Sequence, residues 1–298
     1  MAEHDHEIRL AAFEWLRQQA GLHGDVFSWR TLGKGFPFRG RHIPLVSPQG
    51  IFKPRQMDIS LSIRTSPDGP YDDAFGPNDL LQYRYRGTDP EHPDNRGLRQ
   101  AMFESKPLVY FHGLVPARYL AVWPVYIVGD DRSTLTFSVA ADDQYAVTSD
   151  YGYAAEDASP RRRYVTSTVR RRLHQRGFRE RVLLAYRSQC ALCRLKHAKL
   201  LDAAHIIPDI EPDGVPAIRN GISMCKLHHA AFDNFVLGVT PDYEIRIRED
   251  VLEEIDGPML QHGLKEMHGV KLSLPGRKEL RPDRQLLDVR FSRFQNYG

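Results

Sequence analysis

At 298 residues the chain is long enough to hold two domains of ordinary size. With 41% hydrophobic and 27% charged residues it has the composition of a globular protein, and no apolar run approaches the roughly 20 residues that span a bilayer, which excludes a membrane-spanning helix. The formal net charge of +3 points only weakly to an anionic partner; where the arginines fall says more.

Taken in chain order, the start MAEHDHEIRLAAFEWL lacks the basic opening, apolar stretch and small-residue cleavage site of a secretory signal, so a cytoplasmic location is expected. Residues 6–19 set Ile8, Leu10, Ala11, Phe13 and Leu16 near helical period, with acids early, which predicts a short amphipathic helix. From there to about 150 the stretches HIPLVS, DISLSIRTS, LLQYRYRG, LVYFHGLV, YLAVWPVYIV and STLTFSVA are short, β-branched or aromatic, and broken by Gly, Pro and Asp turns. They predict a mostly β domain, closed or strongly curved. YGYAAEDASPRRR (151–163) reads as a linker, so the domain plan is 1–150, a linker over 151–165, and 166–298.

Between Arg161 and Arg181 nine arginines (161, 162, 163, 170, 171, 172, 176, 179 and 181) meet one acid, Glu180. Such a stripe suits a phosphate backbone, with Arg170, Arg171 and Arg172 as the candidate contacts; the alternative is a solubilising helix face. A helix over roughly 166–187 leads into the segment holding all three cysteines. Beyond that segment, LGVTPDYEIRIR predicts a short strand pair and 283–294 a final helix. Internal repeats and low-complexity tracts are absent from the sequence.

Three cysteines cannot all pair within one chain, and Cys190, Cys193 and Cys225 crowd into one segment, which speaks for a metal over disulfides. Cys190-x-x-Cys193 followed by Cys225-x-x-His228 supplies four donors in two close pairs, the arrangement of a tetrahedral structural Zn²⁺ site with every position filled by protein. A redox pair is the competing reading, but no thioredoxin-like context surrounds the motif.

Between and after these half-sites lie AHIIP and RNGISMCKLHHAAFDN, so that residues 190–235 resemble the HNH nuclease motif, in which a two-stranded ribbon and a helix pack around a catalytic ion. The resemblance implies a ββα-metal domain and assigns roles. His205 is the general base toward the attacking water, which a neutral imidazole performs at physiological pH. Asn220 holds the base and its loop in register. His229 ligates one divalent ion, Mg²⁺ or Mn²⁺, and cleavage leaves 5′-phosphate and 3′-hydroxyl ends. Many members carry an Asp or His ligand directly before the base, where this chain has Ala204; Asp202, Asp233 or water is left to complete the set. His174, His197 and the acidic run Asp209, Glu211 and Asp213 read as solvated surface.

In the N-terminal half, GPYDDAF (69–75), LQYRYRG (81–87) and DNRGLRQAM (94–102) resemble the SRA domain, a PUA-like curved β-barrel that reads modified cytosine. The resemblance implies a pocket for a base flipped out of the duplex, with Tyr71 and Tyr85 stacking on it and Asp72 or Asp73 accepting from the cytosine amino group. Asn95 and Arg96 would touch phosphates or fill the vacated space. The alternative is that these tyrosines are ordinary strand residues.

Together the two resemblances match SRA-HNH modification-dependent (type IV, McrA-like) restriction endonucleases, an α+β architecture acting on cytosine-modified double-stranded DNA, as a homodimer if both strands are cut by one site per chain. An HNH enzyme reading phosphorothioate or unmodified DNA, and a non-catalytic zinc-containing DNA-binding protein, remain the competing functions.

Overall fold

The computed structural model describes residues 2–67, 80–143, 158–255 and 257–297. Two compact units divide at Leu173 and His174. The division falls inside one helix, α4 (Ala158–Ala185 in order of the elements below). Val169 and Leu173 of its first half pack into the first unit, and Phe178, Val182 and Leu183 of its second half pack into the second.

The first unit is built on one curled sheet. Its elements run α1 (Ala2–His23), β1 (Val26–Ser28), α2 (Trp29–Lys34), β2 (Phe36–Phe38), β3 (Arg41–Ile43), β4 (Ile51–Phe52), β5 (Ser62–Arg64), β6 (Leu81–Arg84), α3 (Pro93–Phe103), β7 (Leu108–Val115), β8 (Arg118–Asp131) and β9 (Thr136–Ala141). The strand order is β4-β5-β7-β8-β9-β6, with β1 paired to β8 and only β5 and β7 parallel. The 14-residue β8 is long enough to serve three partners, β1 at 118–120, β9 at 125–131 and β7 along 118–125, and its ladder breaks register at Ile127/Gly129 against β9 and at two places against β7. Such bulges add twist and bend the strand. Among the described residues β4 and β6 are unpaired ends, so the expected curved β domain is a half-barrel and not a closed one.

Alternation along the strands decides what covers this sheet. Tyr110, Leu120 and Val122 face one core with Leu98 and Ala101 of α3, while Val109, Phe111, Tyr119 and Ala121 face the other with Ile8, Ala12, Phe13 and Leu16 of α1. Both faces are therefore buried under helices. The N-terminal helix is longer than its predicted span of 6–19, and a buried polar clamp fixes it. Asp5 accepts from the backbone amides of Asp58 and Ile59, and Arg9, 1% exposed, donates to the carbonyls of Ile59 and Pro107.

The second unit continues from α4 through β10 (Leu201–His205), β11 (Gly221–Cys225), α5 (Lys226–Asp233), β12 (Leu237–Val239), β13 (Ile245–Ile247), α6 (Glu249–Glu253), α7 (Pro258–Gly263) and α8 (Arg284–Gln295). The strand pair predicted around LGVTPDYEIRIR is β12–β13, and the predicted final helix is α8. The helix expected from about 166 begins eight residues earlier, at Ala158. β10 and β11 form an antiparallel ribbon in which Leu201 opposes Cys225 and His205 opposes Gly221. Among the described residues no helix is long and apolar enough to cross a membrane.

Candidate active site and metal centre

The ribbon and α5 place the Cys-His donors together. Cys190, Cys193, Cys225 and His228 present ligand atoms that all lie within 4.8 Å of one another. Nδ1 of His228 is 3.4 Å from the Cys190 sulfur and 3.1 Å from that of Cys225, and the sulfurs of Cys193 and Cys225 are 4.0 Å apart. Donors arranged around one tetrahedral zinc stand about 3.5–3.8 Å from each other, given Zn–S and Zn–N bonds of about 2.3 and 2.0–2.1 Å, so this donor set fits that ion.

Local backbone explains the convergence. The Cys190–Cys193 turn closes through the Arg194 amide onto the Cys190 carbonyl, with Arg194 at φ +61°. Cys225 occupies the N-cap of α5. His228 Nε2 donates to the Gly263 carbonyl at 2.7 Å, which fixes the tautomer so that Nδ1 faces the sulfurs.

On the other side of α5 stands a looser group. His205 closes β10 with its ring stacked on Phe178, 3.9 Å between centroids and 13° between planes. Gly221 makes this stack possible. A Cβ there would lie 2.5 Å from Val182 and 2.8 Å from Phe178, so no larger residue lets α4 approach β11 so closely. Nε2 of His205 is buried without a hydrogen-bond partner. Burial lowers the His205 pKa below the ordinary histidine value and keeps the imidazole neutral, against the opposing pull of Asp209. Asp202, Asp233 and His229 also act on it electrostatically.

Asn220, 2% exposed, fastens the chain that follows the base. Its side-chain oxygen accepts from the Ile207 amide at 2.8 Å, and its nitrogen donates to the carbonyls of Ile207 and Val215 at 2.9 and 3.1 Å. His229, adjacent to His228 in sequence, faces away from the sulfurs: Nδ1 lies 3.8 Å from Asp202 and Nε2 lies 3.2 Å from Asp233. Asp202 also holds the Lys226 ammonium at 2.6 Å; burial would raise its carboxyl, but Lys226, the Ala203 amide and His229 together keep it below its usual range. One imidazole nitrogen and one carboxylate that already attracts a cation make a donor set suited to a divalent ion. The fully buried Ala204 offers no donor, and Glu211 is taken by a two-pronged pairing with Arg293 at 2.8 Å to each oxygen.

The remaining sequence candidates divide. Tyr71, Asp72 and Asp73 lie outside the described residues. Tyr85, expected to stack on a base, is 3% exposed, with its ring against Phe137 and its hydroxyl on Asp130, which also binds Arg99. Asn95, expected near phosphates, is fully buried and bonds to the backbone of Arg86 and Asp89, holding the loop before α3. Both are held by their own fold, whereas Arg96 is exposed.

The arginine stripe is likewise not one free face. Arg161 and Arg162 grip the buried Asp142, Arg172 lies 3.5 Å from Asp25, and Arg179 binds Glu180 and the carbonyls of Ala198 and Leu201. Arg170 is half-buried, and Arg171 is exposed. Phe178 and the Glu211–Arg293 pair carried no signal in the sequence, since each depends on partners far along the chain.

Residues 190–240 match the family model described as HNH endonuclease, so the C-terminal region contains an HNH endonuclease domain. Among solved structures, one described as "Modification dependent TagI restriction endonuclease" aligns with 93% of this chain and 90% of its own at 16% identity and a TM-score of 0.31, a likeness too distant to carry an argument. No curated protein matches the chain.

Proposed function

We propose that the chain is a metal-dependent DNA endonuclease whose second unit cuts and whose first unit selects modified, cytosine-methylated duplex. The observation that supports the nuclease reading is the nearness of His229 and Asp202, whose charges also act on His205, beside a Cys-His cluster whose four donors lie close to each other. His205 takes the proton of the attacking water, ready as a neutral base because its ring is sheltered by Phe178. Asn220 keeps the following loop from drifting, which holds the base in line with the phosphate. His229 and Asp202 would hold the divalent ion, Mg²⁺ or Mn²⁺, and Asp233 would orient His229 through its other nitrogen. When bound, that ion stabilises charge on the phosphate oxygen and the leaving 3′ oxygen. Zinc at Cys190, Cys193, Cys225 and His228 supports the ribbon and α5 from behind.

The SRA-like reading of the first unit is supported by the GPYDDAF, LQYRYRG and DNRGLRQAM segments and by a curled sheet. Two copies acting together are the simplest way for one site per chain to cut both strands. The test is digestion of one plasmid, prepared with and without cytosine methylation, in Mg²⁺ and in Mn²⁺, with His205→Ala as control. Cutting of the methylated plasmid alone is expected. Equal cutting of both would discard the modified-base reader and keep the nuclease; cutting by neither would discard cleavage of these substrates.

A further inference from the structure

At the C-terminal end of α4 the second unit holds a cavity of about 550 Å³ that the reaction does not use. Arg181, Arg187 and Arg277 line it, over an apolar floor that includes Leu184, Ile218 and Leu280, and no carboxylate is among its lining residues. Arg187 and Arg277 are exposed and make no ion pair among the described residues. A side chain added at Gly276 would meet the Arg187 guanidinium, 3.9 Å from its first carbon. Arg181 is half-buried and donates to the Pro216 carbonyl at 3.2 Å, with burial as the sole cause of its lowered pKa.

Several other arginines of the same unit do have an acid beside them: Arg179 pairs with Glu180, Arg219 with Asp283, Arg284 with Asp242 and Arg293 with Glu211. Three guanidinium groups turned toward one cavity repel each other, and the half-buried one has also lost hydration. An anion relieves both costs. A guanidinium fork matches phosphate oxygens, and an apolar floor suits the sugar beside them.

Position argues for which phosphate. The turn Ile218–Asn220 lines the cavity with its first residue and carries the active-site Asn220 as its last. α4 presents Phe178 to His205 less than one turn before it presents Arg181 to the cavity. The cavity and the active site are thus served by the same helix and the same turn. We propose that the cavity is a second phosphate subsite, which holds a backbone phosphate of the DNA strand flanking the one that is cut. The identity of the ligand as DNA rests on the proposed function; the anion site itself rests on the arginines.

The experiment is a salt series of duplex binding by the full chain carrying His205→Ala, read by fluorescence anisotropy. Each phosphate contact adds about 0.9 to the slope of log affinity against log salt. Arg187→Ala with Arg277→Ala is expected to make the slope shallower by about 0.9–1.8 and to weaken binding about tenfold or more at low salt. Arg187→Lys with Arg277→Lys keeps the charges and should keep the slope, and Arg246→Ala, on a residue already paired with Glu244, should leave it unchanged. An unaltered slope in the double alanine variant would overturn the proposal, as would a double lysine variant that binds as poorly as the alanine one. Orthophosphate binding, followed by calorimetry, separates the two sources of the anion: its loss in the alanine variant with duplex binding intact would overturn the DNA assignment. Cleavage plays no part in these readouts, so a chain that binds in this way but cuts nothing would sink the nuclease reading and leave the subsite standing.

Discussion

On one side of α5, His228 is 1% exposed, has both ring nitrogens engaged and sits among three sulfurs, whereas on the other side His229 is part-exposed with its acidic neighbours 3.2–3.8 Å away. Adjacent residues on a helix point about 100° apart, so one turn of backbone feeds two sites of opposite character. The first is saturated by protein donors, as a structural centre requires, and the second leaves room for ion, water and phosphate, as a reactive centre requires. The same contrast separates the two carboxylates near His229. Asp202 lies on the ribbon, half-buried and drawing cations, while Asp233 lies exposed on the helix and is placed to orient the ring.

The comparison breaks most severely at the saturated side. Cys190→Ser should unfold the second unit and abolish cutting, since a structural metal contributes folding energy directly; zinc content and the protease sensitivity of residues 174–298 would show it, and a fully active variant retaining its zinc-free fold would refute the distinction. On the open side His205→Ala should slow cleavage about 10²–10⁴-fold while duplex affinity stays nearly unchanged, because a general base is not needed for binding. Single-turnover rates and equilibrium binding on the same duplex separate these effects.

Smaller changes sharpen the contrast between the carboxylates. Asp202→Asn should raise the Mg²⁺ or Mn²⁺ concentration needed for half-maximal cutting more than Asp233→Asn does, and the orienting role alone is worth about 10–100-fold in metal affinity. The reverse order would make Asp233 the ligand. The smallest expected change concerns pH. With its pKa lowered by burial, His205 stays in the base form to lower pH than an ordinary histidine, so the rate should fall only as pH drops below the usual histidine value. Phe178→Leu admits water to the ring, raises that pKa and should move the acid limb of the rate profile upward; an unmoved limb would remove the sheltering role of Phe178.

The sequence by itself determined what depends on short spacing. Two donors separated by two residues in a turn or at a helix start converge whatever the rest of the chain does, so the Cys190, Cys193, Cys225 and His228 cluster was legible, as were α8 and the β12–β13 pair from hydrophobic period and turn residues. His205, Asn220 and His229 were read from the resemblance of their segment to the HNH motif, whose family model matches residues 190–240. Tertiary structure alone decided which side chains those motifs would meet. Phe178 reaches His205 only because Gly221 admits α4, Glu211 meets Arg293 across 82 positions, and Tyr85 and Asn95 are consumed by the packing of their own unit. The arginines that look uniform along α4 divide into paired and unpaired groups by the acids and carbonyls that folding brings beside them. Spacing fixes local geometry, but burial and charge pairing are sums over distant parts of the chain, which no local pattern encodes.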